Sequence, residues 1–250
     1  MQVACIMVSM PEPVALILGT GWNGIVDTLS KPETKPFYSV FGKSAGVPGH
    51  EGTITRGKLH KKDCIILSGR FHTYEGYTSS EVVKTIEYLH SEGVKKVIIT
   101  SASGGLNPKY NVGDVVILSD ILTLFCQSPL VGAKFQDMSR PFSADLMGLA
   151  EKSATATDIG YQKGVYAYFR GPQFETYADK MALTHLGADV CGMSTVPEVI
   201  MANYLKMEVL GLSLVTNLAF VKHSHEEVLA AAKAKEGNLK KFVEELIKIM

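Results

Sequence analysis

Short, continuously apolar runs alternate with stretches of helical periodicity along this chain. The runs at 14–19 (VALILG), 52–59, 63–68 (DCIILS), 94–100 (VKKVIIT), 114–119 (DVVILS), 163–169 and 208–216 (EVLGLSLVT) read as strands. Most are apolar throughout rather than alternating, the pattern of strands covered on both faces. Helices are predicted over 78–92, 144–158, 175–187 and 195–206, with a last one from Ser224 onward. Val82, Ile86 and Leu89 recur at helical spacing in the first of these, and Leu239, Phe242, Val243, Leu246 and Ile249 in the last. Three helices open with a hydroxyl residue followed three positions later by glutamate: Thr78–Glu81, Thr195–Glu198 and Ser224–Glu227. That spacing is a capping box, and Pro197 suits a first turn. No repeat, low-complexity tract or linker interrupts the pattern, and the longest loops are 101–112 and 126–143. The alternation predicts a single α/β domain over 1–250, a central mixed β-sheet flanked by helices on both sides.

Composition adds exclusions. The chain has 250 residues, 46% apolar and 20% charged, with 25 basic against 25 acidic side chains. A balanced charge gives no reason to expect nucleic acid or an acidic membrane as partner. The apolar runs are too short to span a bilayer. Residues 1–10 lack the charged start of a signal peptide, so a cytoplasmic protein is expected. Cys5, Cys64, Cys126 and Cys191 are widely spaced, as buried thiols in a reducing compartment would be. The seven histidines form no H-E-x-x-H, and no metal site is expected.

In such sheets ligands collect at the carboxyl ends of strands. The first strand runs into Gly19-Thr20-Gly21-Trp22-Asn23-Gly24. This matches G-x-G-x-x-G, but no carboxylate stands in 37–43 to hold a dinucleotide's ribose. A glycine turn offering amides and the Thr20 hydroxyl to an oxyanion fits better. The next end carries GRFHTYEGY, residues 69–77, with Arg70, His72, Tyr74 and Glu75. Arg70 suits phosphate; read alone, the stretch also fits a surface Arg70–Glu75 pair beside a solvated histidine. Ser101-Ala102-Ser103-Gly104-Gly105 allows close backbone approach. Phe174 and Glu175 follow a Gly171-Pro172 turn and open a helix, where a carboxylate is often only a dipole partner. Ser194 precedes another helix, and Thr216-Asn217 ends the last strand. An asparagine amide presents two donors and an acceptor, well suited to a heterocycle edge. Each cluster is weak alone; the fold brings the ends together.

At this point the motifs GTG, GRFHTYEGY, TSASGGLNP, GPQFET, GMSTVPEV, TN and HEEVLAA resemble, in order and approximate spacing, the trimeric purine nucleoside phosphorylases. The likeness runs from Val14 to the end. It implies phosphorolysis of purine ribo- and deoxyribonucleosides to free base and pentose 1-phosphate, in cytoplasmic purine salvage. No cofactor is implied; inorganic phosphate is a co-substrate. By matching motif, phosphate would meet Thr20, Arg70, His72, Ser194 and the N–H of Ala102, with Glu75 orienting Arg70. Tyr74, Tyr166, Met193 and His225 would address the ribose, and Phe174, Glu175 and Asn217 the base. Phe135 would complete a neighbouring subunit's sugar pocket in a homotrimer. Asn217, His72 and Glu175 would carry the catalysis, Asn217 at N7 of the departing purine. Glu175, accepting from N1–H, implies inosine and guanosine over adenosine. The sister activity on 5′-methylthioadenosine is the alternative, disfavoured because Asn217 stands where that subfamily has an aspartate-containing motif. Departures are Trp22-Asn23 in place of a small Leu-Gly-like pair, Ser101 and Ser103 for Asn and Ala, and Arg170 before Gly171. Only seven residues separate Asn217 from His225. Tyr77 is expected to pack.

Overall fold

The computed structural model describes residues 12–47, 51–221 and 224–250; the side chain of His225 lies outside this description. Cys5 and His223 lie outside it too. The strands are β1 (Val14–Leu18), β2 (Ser30–Pro36), β3 (Thr53–Leu59), β4 (Lys62–Ser68), β5 (Lys96–Gly105), β6 (Val115–Leu122), β7 (Tyr161–Tyr168), β8 (Val190–Gly192) and β9 (Glu208–Leu218). The helices are α1 (Tyr38–Phe41), α2 (Ser79–Val82), α3 (Lys84–Ser91), α4 (Ala144–Ala156), α5 (Tyr177–His185), α6 (Val196–Tyr204) and α7 (His225–Ile249). Short 3-10 segments cover Asn23–Thr28 and Thr73–Glu75.

Among the described residues, nine strands share one mixed sheet in the order β2-β3-β4-β1-β5-β8-β7-β6-β9. β9 also pairs parallel with β5 over ten positions, Lys96↔Glu208 to Gly105↔Leu218. The second half of the sheet therefore closes on itself, and β5 is the seam between the open half and the closed half. Side chains alternate across β5 and so feed two cores. Val97 and Ile99 pack with Ile86 and Leu89 of α3 and Val199 of α6. Ile98 packs with Ala150 of α4 and Leu239, Phe242 and Val243 of α7. Helices thus cover both faces, as the apolar runs predict.

Four differences from the sequence reading have physical causes. β2, SKPETKP, is an exposed antiparallel edge with two prolines, so no apolar run announces it. β8 has only three residues, too short for a periodic signal. β5 continues through Ser101–Gly105, which composition marks as a loop; β8 and β9 on its two sides hold those small residues extended. The helical stretch over 78–92 divides at Val83 into α2 and α3.

Capping boxes form at Thr78 and Ser224. The one expected at Thr195 does not: its side chain caps nothing and its φ is +71°. The reason lies in the cavity below.

Candidate active site

Where β1 ends and β5 runs on, a cavity of about 310 Å³ opens, walled by β5, β8, β9 and the loops after β1, β4 and β7. Thr20, Arg70, His72, Ala102 and Ser194 border it, as do Tyr74, Met193, Phe174, Glu175 and Asn217. The fold therefore gathers ten of the thirteen sequence-derived residues around one space.

Two others, Tyr166 and Phe135, stand apart. Tyr166 is fully buried and does not border the cavity. Alternation along β7 sends its ring into the core, and its hydroxyl accepts the Ser194 backbone N–H at 3.3 Å. The direct sugar contact expected of Tyr166 is thus corrected to support of Ser194 from behind. Phe135 is 92% exposed on the loop before α4, away from the cavity. For His225 only its place at the first turn of α7 is described.

GRFHTYEGY divides its labour differently from expectation. Glu75 does not orient Arg70, nor do they form a surface pair. One Glu75 oxygen accepts the backbone N–H of His72 at 3.0 Å and sits 2.8 Å from its ring Nδ1, and the other accepts the Gly46 amide at 2.9 Å. Burial works against charge on Glu75, but the bonds from His72 and Gly46 prevail and hold its carboxyl below the usual range. An ionised carboxylate needs a donor, so the neutral imidazole keeps its proton on Nδ1 and presents Nε2 as acceptor. Burial, with Arg70 nearby, pulls the His72 pKa down against the pull of Glu75. The ring stacks on Tyr74 at 4.5 Å and 17°. Tyr77 packs on Phe71, ring centroids 5.0 Å apart, as expected.

Arg70 is 1% exposed and pairs with Glu198, fully buried, at 3.0 Å. Its other terminal nitrogen donates to the carbonyls of Ile17, at 3.3 Å, and Thr100. Burial pushes the Glu198 carboxyl up, while Arg70 opposes that and favours its charge. This explains the missing cap: Glu198 pairs with Arg70, and the Thr195 hydroxyl meets Arg70 and Ser194 rather than the first turn of α6. Thr195, with φ +71° and ψ −55°, forms a three-residue turn in which the Val196 N–H reaches the Ser194 carbonyl at 2.7 Å. For a β-branched residue this hand of γ-turn is strained, at a cost of about 1–3 kcal/mol. The turn sets Ser194 at the cavity wall. Glu198 was missed in the sequence because three-residue spacing fits a cap; its signal was a lone carboxylate inside VPEVIMA, buried throughout.

The Gly19–Trp22 turn is closed by the Trp22 N–H on the Gly19 carbonyl at 3.1 Å, with Gly21 at φ +89°. Its glycines serve packing more than the expected anion cradle. The Gly19 N–H goes to the Thr100 hydroxyl at 3.0 Å, and a Cβ on Gly19 would stand 2.8 Å from the Ser101 Cα.

At the opposite end, β9 carries a bulge: Ser103 pairs with Val215 and Gly104 with Asn217, leaving Thr216 extra. Bulges re-aim side chains. The Thr216 hydroxyl bonds to the Asn217 Oδ1 at 3.2 Å, and a Cβ on Gly104 would stand 3.2 Å from Nδ2. Cys191 lies across β5 from Asn217, paired with Gly104. Its thiol donates to Glu175 Oε1 at 3.2 Å. Burial, then Glu175, pushes the thiol pKa up, so it remains a donor. Composition marked Cys191 only as a buried thiol. Ser101, Ser213 and Ser103 form a hydroxyl chain of 2.9 and 2.8 Å that ties β5 to β9 beneath the bulge.

One end of the cavity thus collects an imidazole acceptor, hydroxyls and a charge-compensated guanidinium; the other, an aimed amide and a tethered carboxylate. Among the described residues no group of three or more His, Cys, Asp or Glu side chains could hold a metal. No described helix is long and apolar enough to cross a membrane.

Residues 4–248 match the model of the phosphorylase superfamily. The purine nucleoside phosphorylase of Rattus norvegicus is 38% identical over 92% of this chain and 86% of its own. Purine nucleoside phosphorylase 1 of Bacillus subtilis is 38% identical over 95% and 93%. The Schistosoma mansoni purine nucleoside phosphorylase solved with inosine superposes with a TM-score of 0.89 at 32% identity, over 97% of this chain and 92% of that one; the same enzyme is solved with adenosine at 0.87. By matched length, identity and fold together, this chain belongs to the purine nucleoside phosphorylases of the phosphorylase superfamily.

Proposed function

We propose that this chain catalyses phosphorolysis of purine ribo- and deoxyribonucleosides, preferring inosine and guanosine, and so serves purine salvage in the cytoplasm. The observation that carries the reading is the two-ended cavity. His72, Thr20 and Ser194 border the same space of about 310 Å³ as Glu175 and Asn217.

The chemistry follows from the residues. Cleaving C1′–N9 builds positive charge on the pentose and negative charge on the purine. Phosphate at the His72 end stabilises the first and then bonds to C1′, so no protein nucleophile is needed. A neutral His72 accepts the hydrogen of a monoprotonated phosphate dianion at Nε2 and fixes the anion's orientation. Glu198 offsets the charge of Arg70, so the anion is met largely by hydroxyls and amides rather than by surplus positive charge. Asn217 Nδ2 donates to N7 as charge gathers there; a preorganised donor of this kind is worth about 3–4 kcal/mol. Glu175 accepts from N1–H, with Cys191 holding its other oxygen. Adenine has no N1–H and would leave the carboxylate facing a lone pair, a mismatch that buried sites penalise strongly. Inorganic phosphate is a co-substrate, and no cofactor takes part.

The functional unit in this reading is a homotrimer. Phe135 is 92% exposed and Val131 and Leu124 on the same loop are 71% and 66% exposed. Such a side chain suits insertion into a neighbour's sugar pocket.

Purified protein assayed at saturating phosphate against inosine, guanosine, adenosine and 5′-methylthioadenosine tests the base preference. Inosine and guanosine should exceed adenosine in kcat/KM by about a hundredfold or more. Equal turnover of adenosine, or faster turnover of 5′-methylthioadenosine, would remove the assignment of Glu175.

A further inference from the structure

We propose that Trp22 is a positioning residue for phosphate: its indole N–H clamps the Gly19–Trp22 turn to β5, so that Thr20 and the Ala102 amide address one anion. Trp22 is fully buried, and its Nε1 donates to the Ser101 carbonyl at 3.0 Å. Its backbone N–H closes the turn that carries Thr20. One residue therefore ties the loop after β1 to the strand beside it through both main chain and side chain.

The carbonyl it holds belongs to the peptide that joins Ser101 to Ala102. In a planar trans peptide the C=O and N–H point in opposite directions. The Ser101 oxygen that accepts the indole N–H therefore points opposite to the Ala102 N–H, and Trp22 ties the turn to a peptide whose heading the β5–β9 ladder also holds. The sheet shows which way that is. Val215 exchanges both backbone groups with the Gly113–Asp114 segment, so its neighbour Leu214 faces β5. Leu214 is paired with Ala102 in a parallel ladder, and in such a pair only one member bonds across. Ala102 therefore faces away from β9, toward the space left where β1 ends, and it borders the cavity. The backbone contact of Gly19 with Ser101 and the Gly19 bond to Thr100 press the turn onto the same peptide. Trp22 completes that three-point attachment. A Leu-like residue at this position would fill the space without supplying the donor.

The inference rests on the phosphate reading of the His72 end. Trp22 is the chain's single tryptophan, so a tryptophan auxotroph fed β-(3-benzothienyl)alanine replaces only this N–H with sulfur at nearly constant shape. The substituted protein and W22F would be compared with wild type in KM for phosphate, KM for inosine and Tm. In both, KM for phosphate should rise about five- to tenfold, the loss expected of one buried hydrogen bond, while KM for inosine stays within about twofold. Recovery of either protein folded is sufficient, because the two remove the same donor. An unchanged phosphate KM, or phosphate and inosine KM rising together, overturns the role. S194A separates the layers: if it raises the phosphate KM and the Trp22 replacements do not, the inference fails and the phosphate reading stands. Phosphate-independent base release by wild type overturns both.

Discussion

Asn217 stands one residue past a bulge, and that placement decides what its amide can do. Without the extra residue Thr216, β9 would keep its register and send the side chain at 217 to the other face. With it, Thr216 donates to Oδ1 and Asn217 borders the cavity. Asn217→Ala should therefore lower kcat by about a hundredfold to a thousandfold, with little change in Tm. Near-normal turnover by that variant would exclude the amide from the barrier. His72 makes a second prediction, about pH. Its folded pKa lies below the ordinary 6.5, chiefly through burial. As pH falls below that value the unfolded chain takes up the proton first, so stability drops toward the folded pKa. Glu75, lowered from 4.5, adds a further loss in more acid solution. Thermal scans between about pH 7 and pH 5 should show Tm falling with pH in wild type and a flatter profile in His72→Gln. Identical profiles would contradict the buried neutral imidazole.

At the scale of elements, strands covered on both faces announce themselves as apolar runs, which is why β1, β4, β5, β6, β7 and β9 were legible. Edge strand β2 and three-residue β8 carry no such signal. Capping geometry was legible where it is local, as at Thr78 and Ser224. It was misleading at α6, because tertiary partners claimed the Thr195 hydroxyl and paired Glu198 with Arg70. Sequence spacing tells which residues can meet within one turn; it does not tell that Arg70 will arrive from 128 positions away. Glu75 shows the opposite case: its partner His72 stands only three positions away, and it was the resemblance rather than spacing that assigned it to Arg70. Both groups of the Arg70–Glu198 pair are essentially unexposed. Removing one leaves the other charged and buried, so Glu198→Ala should destabilise the fold by about 3–5 kcal/mol. Urea denaturation measures this directly. A loss within about 0.5 kcal/mol, the range of ordinary surface changes, would mean the pair is not the structural bond described.

Across the whole molecule, β5 is where sequence and function meet. It pairs with β1 over Lys96–Ile99, with β9 along its length and with β8 at its end. The cavity lies at the point where β1 stops and β8 begins. Ligand-type residues at successive strand ends were legible one by one, and the closure of the sheet explains why they converge. Two parts stand apart: the walls contributed by Cys191 and the serine chain, whose composition reads as ordinary core, and the assembly, which only the family resemblance suggests. Phe135 belongs to the second. Phe135→Ala should leave a trimer's mass in solution scattering unchanged yet raise KM for inosine about tenfold, if a neighbour's ring closes the sugar pocket. Full activity from a monomer would contradict that arrangement.

Phosphate dependence is the most direct test, because it joins the two ends of the cavity in one reaction. Purified protein with inosine should release hypoxanthine only when inorganic phosphate is present, with one ribose 1-phosphate formed per base. Hypoxanthine release that is unchanged without phosphate, or none with either inosine or guanosine, would contradict it.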